Sequence, residues 1–407
     1  MLVGISGTKN KKYSSKQFAL LKTMASRAKT GYFVNHKDYT VKQWRDYLGS
    51  LTDVEGIVIL DELVPTTIVY RYPNMKDIGI TDNIYGNLSQ QWVDKDGNGW
   101  FDVDEMPEEY HQDCWVCRLV PYCCGYTGVG WLEWFWKQTG YIGAARFTRR
   151  SYSETLDYWQ KKLNRSTTNP LSSFIATSDW TGVDEEKEEG FNLNIQNLKE
   201  KKVFDSILNF GEKPYFVEYT SPSRGGGMEK MWWSDGIGTA WHAAHSASLT
   251  MGDMRYDDAY VNLKEAKGPT LLLAYACSVA EWDKENNSNI LANIFNSIKN
   301  NNIKCIIASG LMQWGAGFQV EMDDKGSWGS GDSGGVPGAI YDGKNFFSFM
   351  KEYQGKHIGL AHKDWLNLSY KHYIAKNIKY PSDRYDWKEI LINVLAINII
   401  GDGSLIL

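Results

Sequence analysis

This chain of 407 residues has neither a long apolar segment nor a long run of basic residues. No apolar stretch approaches the roughly 20 residues that span a bilayer, so a membrane is not an expected partner. The net charge is −5, so nucleic acid is not an expected partner either. The amino terminus lacks a charged segment followed by a long apolar one, and no signal peptide is predicted. We expect a cytoplasmic protein by default, or a secreted one if a leader has been removed.

Cysteine and histidine are scarce, with six and seven copies in the chain. Four cysteines form one cluster, at positions 114, 117, 123 and 124. Such a cluster could hold zinc, form disulfides or consist of buried thiols. No second, well-separated pair of ligands completes a zinc signature, so the cluster is expected to be structural. The other two cysteines, Cys277 and Cys305, belong to short apolar runs.

The apolar content is ample for a large core, at 43% of residues with 17 tryptophans. A chain this long exceeds the size at which single cores stop growing, so we expect two side-by-side subdomains. The boundary is placed near residue 150, which gives an N-terminal subdomain of residues 1–150 and a catalytic one of residues 151–407. Strand-like and helix-like segments alternate along the chain, which predicts an α/β fold of mainly parallel sheets flanked by helices.

Two local patterns carry further expectations. Residues 151–163 predict a helix capped by Ser153 with Glu154 in its first turn. Asp61 and Glu62 follow the apolar run at 56–60 and are expected to be solvated loop acids.

Residues 94–105 match the calcium-loop pattern. Oxygen-bearing side chains occupy positions 1, 3, 5, 9 and 12, and glycine occupies position 6. The predicted ligands are Asp94, Asp96, Asn98, the carbonyl of Trp100, Asp102 and Glu105. The flanking helices of an EF-hand are not evident, because Met106-Pro107 breaks the exit. We therefore expect one structural Ca²⁺ ion in the N-terminal subdomain and no cofactor for catalysis; an acidic turn is the alternative.

The apolar run at 270–278 ends at a cysteine, Cys277, and predicts a buried strand. A helical pattern over 289–298 and a second apolar run at 303–309 follow, which is typical of a right-handed crossover between parallel strands. Ligands of such sheets bind outside the carboxyl ends of the strands, so Cys277 lies where chemistry usually occurs. A small buried core cysteine is the alternative.

A base for this thiol is available upstream, in the sequence Trp-His-Ala-Ala-His-Ser at 241–246. A cysteine nucleophile needs a base or an imidazolium beside it. The separation of His245 and Cys277 leaves room for a connection and one strand, so neighbouring strand ends could present both groups at one edge. We prefer His245 to His242, although the stretch before them, 230–239, is a poor hydrophobic strand.

The order of a histidine and then an apolar strand ending in Ala-Cys resembles the caspase, legumain and gingipain clan of cysteine proteases. The details look most like the gingipain-type family, and four stretches carry the likeness in the family's order: 244–246, 276–283, 307–314 and 400–405. The family has glycine where this chain has Ser246, and Gly-Asp-Pro-Ser-Leu where it has Gly-Asp-Gly-Ser-Leu. The resemblance implies a caspase-like fold and hydrolysis of peptide bonds by a dyad of Cys277 and His245.

Substrate-binding residues are implied by the resemblance alone. An acid in the loop after the strand at 174–177 lines the family's pocket for a basic side chain, which points to Asp184, Glu185 or Glu186 and to cleavage after Arg or Lys. Trp314 matches an aromatic that packs on the substrate, and Ser246 would supply an amide N–H to the oxyanion. Solvated acids and a structural tryptophan are the alternatives. The expected partner is a protein or peptide substrate.

Two rival interpretations remain open. Residues 331–337 match the nucleophile loop of chymotrypsin-like serine proteases, which would use Ser333 with His245 as base. That family's double β-barrel needs many short strands with frequent turns, whereas residues 260–310 predict strand, helix, strand. The chain could also be a catalytically inactive relative that acts as a calcium-stabilised binding protein.

Overall fold

The structure of the protein is a computed structural model. It describes residues 1–72, 77–95, 101–102, 105–107, 109–119, 151–172, 174–178, 238–243, 246–247, 250–251, 254–255, 269–275, 302–310, 350, 352–375 and 394–407. No helix within these ranges is long and apolar enough to cross a membrane.

The described part of the chain alternates strands and helices. The strands are β1 (Leu2–Ser6), β2 (Tyr32–His36), β3 (Gly56–Ile59), β4 (Thr67–Tyr72), β5 (Asp77–Thr81), β6 (Phe101–Asp102), β7 (Trp115–Arg118), β8 (Phe174–Ser178), β9 (Thr239–Ala243), β10 (Ser246–Ala247), β11 (Thr250–Met251), β12 (Met254–Arg255), β13 (Leu271–Tyr275), β14 (Cys305–Ser309) and β15 (Ile397–Gly401). The α-helices are α1 (Ser14–Ala28), α2 (Val41–Gly49), α3 (Tyr152–Asn164) and α4 (Ile358–Ala375). Short 3₁₀ helices occupy Thr8–Tyr13, Asn83–Gly86 and Pro170–Ser172.

Nine of the described strands form one central sheet in the order β2-β1-β3-β7-β15-β14-β13-β9-β8. Every neighbouring pair is parallel except β14 and β15, which are antiparallel. The sheet therefore has two parallel halves that run in opposite directions. We call β2, β1, β3, β7 and β15 the first half-sheet, and β14, β13, β9 and β8 the second. Because the halves are antiparallel, their carboxyl ends lie at opposite edges.

The fold is thus a mixed α/β fold with a mostly parallel central sheet flanked by helices, which confirms the predicted class. Two smaller sheets accompany it, β5-β4-β6 and β10-β11-β12. Strands from before and after residue 150 share the central sheet, and the division into two subdomains stays a prediction.

The central strands form because they are continuous apolar runs, as expected for parallel strands buried on both faces. All residues of β1, β3, β14 and β15 are buried. On one face, Trp44 and Leu48 of α2 pack with Ile57 and Ile59 of β3. Helix α2 is held at its start by a capping box between Thr40 and Gln43. Burying each such large side chain contributes roughly 1.5–3 kcal/mol.

Helix α3 begins at Tyr152, close to the predicted start, but its cap is Ser151 and not Ser153. The Ser151 hydroxyl accepts from the Glu154 N–H, and the Glu154 carboxylate accepts from the Ser151 N–H at 2.7 Å. Two otherwise unpaired backbone donors are therefore satisfied. The predicted Glu154 position in the first turn is confirmed.

The first two cysteines of the cluster cannot share a metal ion. Cys114 and Val116 both belong to the apolar cluster around α2, so Cys117, next to Val116 along β7, points to the other face. On that face, the Cys117 Cβ atom lies 3.1 Å from the position that a Cβ atom at Gly403 would take. Both thiols are free and buried. The buried-thiol interpretation therefore holds for these two, while positions 123 and 124 lie outside the described residues.

Candidate functional site

Four strands end together at the carboxyl edge of the second half-sheet. Ser178 of β8 is aligned with Ala243 of β9, and Ala243 is aligned with Tyr275 of β13. On the other side of β13, Ala274 is aligned with Ala308 of β14. Neighbouring strands lie about 4.8 Å apart. The chain therefore leaves the sheet at four adjacent, level points.

Apolar sequence and one close approach explain this alignment. Leu271, Leu272 and Leu273 of β13 are fully buried, which fits a strand covered on both faces. Before β9, the carbonyl of Gly238 accepts from the Leu271 N–H at 2.9 Å. A side chain at Gly238 would lie 2.3 Å from the Asn169 carbonyl oxygen, so only glycine fits there. The backbone is thus held in register just before β9 and β13 begin.

The predicted nucleophile and base follow two of these aligned strands. Cys277 and His245 lie outside the described residues, yet each is two residues beyond the aligned pair of Tyr275 and Ala243. The strand before His245 is β9, Thr239–Ala243. The stretch at 230–239, which is a poor hydrophobic strand, therefore precedes β9 and shares only Thr239 with it. His242 is part of β9 itself, aligned with Ala274.

The other predicted site residues also follow strands of the second half-sheet, and nearly all lie outside the described residues. Asp184 and Glu185 come after β8, and Trp314 comes after β14. Ser333, the nucleophile of the rival interpretation, lies outside as well. Ser246 is described: it opens β10, where it is aligned with Met251 of β11. The backbone therefore enters a small antiparallel sheet directly after His245.

No described cysteine is suited to act as a nucleophile. Cys114, Cys117 and Cys305 are all fully buried, and burial raises the pKa of each thiol well above its ordinary value. The carboxylate of Asp402 raises the pKa of Cys305 further. A thiol that stays protonated and buried is inert. Cys305 also begins β14, so it lies at the edge opposite the one described above.

The two ends of the calcium-type loop meet in the structure. The Lys95 N–H, next to Asp94, donates to the carboxylate of Glu105, whose side chain is buried. Within the loop, Phe101–Asp102 forms β6, which pairs with β4. Asp96, Asn98 and Trp100 lie outside the described residues, and the described ones alone contain no cluster of three metal-ligating side chains. Closure of the loop is a feature that a bound calcium ion would need, and the calcium site itself stays a prediction.

The carboxyl edge of the first half-sheet is filled by its own polar groups. Asp61 is fully buried, so the expectation of a solvated acid was wrong for it, while Glu62 is exposed. The Asp61 carboxylate accepts from Asn10 Nδ2 at 2.9 Å, from Leu63 N at 3.0 Å and from the Ser6 hydroxyl. Burying a carboxylate is costly unless its oxygens are hydrogen-bonded, and here they are.

A buried ion pair that the sequence did not reveal lies beside this edge. Arg118 binds Asp82 through two parallel hydrogen bonds of 2.7 and 2.8 Å, and both side chains are almost fully buried. Arg118 also donates to the Asp61 carbonyl at 3.1 Å. The pair and this hydrogen bond therefore join the last residue of β7 to the segments that follow β3 and β5. No local pattern marks either partner, because they are distant in sequence.

The closing motif of the resemblance, Gly-Asp-Gly-Ser-Leu at 401–405, has a structural role in this chain. Asp402 is fully buried, accepts from the Ser404 hydroxyl at 2.6 Å and pairs with Arg27 of α1. Gly401 has a φ of +106°, and a side chain there would lie 2.3 Å from the Lys304 carbonyl oxygen. The motif thus fixes the turn after β15 to α1 and to the start of β14.

No family model matches the chain, and no curated protein matches it. The fold alone defines the class of this protein: it is a mixed α/β protein with a mostly parallel sheet.

Proposed function

We propose that this protein is a cysteine endopeptidase of caspase-like fold, resembling the gingipain-type family, with Cys277 as nucleophile and His245 as its acid and base. The observation that supports the proposal is the parallel, in-register pairing of β9 and β13. Each candidate residue follows the aligned pair of Ala243 and Tyr275 by two positions. Two groups that leave adjacent strands at the same level begin about 4.8 Å apart, within reach of the contact that a dyad needs.

The proposed chemistry is acyl transfer. The Cys277 thiolate attacks the scissile carbonyl carbon, and backbone amides near Ser246 and Cys277 bind the resulting oxyanion. The C–N bond then breaks as His245 gives its proton to the leaving amine. Water, activated by the same imidazole, hydrolyses the thioester and frees the enzyme. The substrate is a protein or peptide.

Two further parts of the proposal depend on the resemblance and on the loop. Asp184 or Glu185 would bind a basic side chain before the scissile bond, with Trp314 packing on it. Asp94, Asp96, Asn98, Trp100, Asp102 and Glu105 would hold one structural Ca²⁺ ion. The closure of the loop by Lys95 and Glu105 supports the second part.

The serine-protease alternative is less well supported. A chymotrypsin-like enzyme is built from antiparallel barrels, whereas His245 follows a strand of a mostly parallel sheet. The cysteine hypothesis needs only residues that follow neighbouring strands of that sheet.

The proposal is tested by brief treatment with a peptidyl acyloxymethyl ketone that carries Arg or Lys, with calcium present, followed by mass spectrometry. We expect a single adduct on Cys277. An adduct-free Cys277 together with fluorophosphonate labelling of Ser333 would favour the serine protease. Labelling by neither probe would favour the inactive binding protein.

A further inference from the structure

The small sheet β5-β4-β6 connects the calcium-type loop to the carboxyl edge of the second half-sheet. At one end of this sheet, the backbone of Ile80 in β5 meets Gly310, the first residue after β14. The Ile80 N–H donates to the Gly310 carbonyl at 2.9 Å. The Gly310 N–H in turn donates to the Ala396 carbonyl at 2.8 Å. The backbone of Gly310 is therefore hydrogen-bonded both to Ile80 of β5 and to Ala396, just where β14 ends.

The position of Gly310 leaves no room for a side chain. A Cβ atom at Gly310 would lie 2.3 Å from the Ile80 carbonyl oxygen, a distance at which backbone must move. Asn398 reinforces the contact, since its amide donates to the Ile80 carbonyl at 2.9 Å and accepts from the Asp82 N–H at 2.9 Å. The side chain of Thr81 binds the Leu395 carbonyl at 2.5 Å. The contact between β5 and Gly310 is therefore made directly between backbone atoms, with no side chain of Gly310 between them.

At the edge opposite β5, the same sheet contains β6, which is part of the calcium-type loop. Phe101–Asp102 of β6, which supplies one predicted ligand, is aligned with Val69 and Tyr70 of β4. Strand β4 is aligned with β5, with Ile68 opposite Ile80. Strand β6 has only two residues and pairs only with β4 among the described strands. Because β6 belongs to the loop, a bound cation would act on it directly: it would offset the repulsion among the carboxylates of Asp94, Asp102 and Glu105.

We propose that β6, β4 and β5 couple cation binding in the loop to the backbone at Gly310, and so to the segment after β14 that contains Trp314. This rests on the proposed calcium site and the proposed peptidase function. Calcium then has a second role beyond stability: it sets the position of a substrate-binding segment. Coupling of this kind is reciprocal, so a change at Gly310 must alter calcium affinity.

Reciprocity gives a test that needs no enzymatic activity. Calcium chloride is titrated calorimetrically into the full chain and into the Gly310→Ala variant. We expect the Kd for calcium to rise about tenfold in the variant, within the usual range of allosteric coupling. The matched control is Gly31→Ala, where the new Cβ would be 3.9 Å from its nearest neighbour, the Met1 Cβ atom, and the Kd should not change.

A second measurement uses the unmodified chain, in case Gly310→Ala does not fold. Hydrogen exchange of the Ile80 amide should slow about tenfold when calcium is added. The Leu2 amide, which donates to the Gly31 carbonyl, should not respond. An unchanged Kd in Gly310→Ala, or an Ile80 amide that ignores calcium, overturns the coupling.

The two proposals fail differently. If the unmodified chain binds no calcium, the proposed calcium site and the proposed coupling are both wrong. Labelling of Cys277 would still test the peptidase proposal. If calcium binds and shifts Ile80 exchange while Cys277 takes no label, the coupling stands and the peptidase falls.

Discussion

The two half-sheets are built from similar parallel strands but use their carboxyl edges differently. At the edge of the first half-sheet, Asp61 and the pair of Arg118 and Asp82 satisfy one another and the nearby backbone. At the edge of the second, four level strands lead into the segments that contain Cys277 and His245. An edge whose polar groups are already paired stabilises the fold and has few donors or acceptors left for a ligand. The comparison therefore indicates a structural role for the first edge, and the proposed chemistry belongs to the segments that follow the second.

The largest expected effect concerns the cysteines of the second half-sheet. Cys277→Ala should lower the rate of peptide hydrolysis on the order of 10³-fold or more, because the nucleophile is lost. Cys305→Ala, the control at the opposite edge, should keep the activity and lose stability only through its small cavity. The measurement is kcat/KM with a fluorogenic peptide. Equal activity of Cys277→Ala and the unmodified protein would contradict the assignment.

The first edge should respond in stability. Asp61→Ala leaves the buried donors of Ser6, Asn10 and Leu63 without an acceptor, so the free energy of unfolding should fall by roughly 3 kcal/mol. Glu62→Ala changes the exposed neighbour and should stay within about 0.5 kcal/mol. Urea unfolding monitored by circular dichroism measures both. Similar values for the two variants would show that the Asp61 network is not structural.

Acid should weaken the same half of the molecule through a buried histidine. Burial lowers the pKa of His362 from its ordinary 6.5 to about 3, and a backbone contact at Ile397 only partly opposes this. Between about pH 6.5 and pH 3, His362 therefore binds a proton in the unfolded chain but not in the folded one. The stabilising effect is complete above about pH 6.5 and is lost as the pH falls towards 3, by roughly 1.4 kcal/mol per pH unit.

Paired variants isolate this effect from other titrating groups. His362→Gln should lose less stability than the unmodified protein between pH 7 and pH 5. Leu366→Met, a change at a buried residue of the same helix that does not titrate, should leave the pH dependence unchanged. A His362→Gln profile parallel to that of the unmodified protein would show that this histidine is not the acid-sensitive group.

The smallest expected effect is at the cap of α3. Ser151→Ala removes the acceptor for the Glu154 N–H and should cost about 1 kcal/mol. Ser153→Ala should cost less, because Ser153 is not the cap and its hydroxyl accepts a surface hydrogen bond from Lys16 at 2.7 Å. Thermal unfolding of both variants makes the comparison. A larger loss in Ser153→Ala would mean that the cap is at Ser153 after all.

Continuous apolar runs made β13 and β14 predictable from sequence, because a parallel strand buried on both faces leaves an unbroken signal. Strand β9 could not be predicted in the same way. Its sequence, Thr-Ala-Trp-His-Ala, is mixed, and it becomes a strand because it lies between β8 and β13. Pairing with strands that are distant along the chain therefore determines that this segment is a strand.

Polar groups in the core gave the least local signal. Asp61 has the surroundings of a solvated acid in sequence, a strand end followed by a turn, and only its distant donors at Ser6 and Asn10 bury it. The chemistry of the candidate site was visible as residue types, Cys277 and two histidines. The strands before Cys277 and His245 end level because of the register of β9 and β13, which sequence alone does not set.

The position of β15 has a consequence for biosynthesis. This strand lies in the middle of the sheet, between β7 and β14, yet it is translated after every other described strand. Until residues 397–401 leave the ribosome, the nascent chain contains two separate groups of strands, each with an unpaired inner edge. Such edges favour intermolecular pairing. A premature stop before residue 397 should therefore yield an aggregating product, and chaperone protection should matter most just before synthesis of β15.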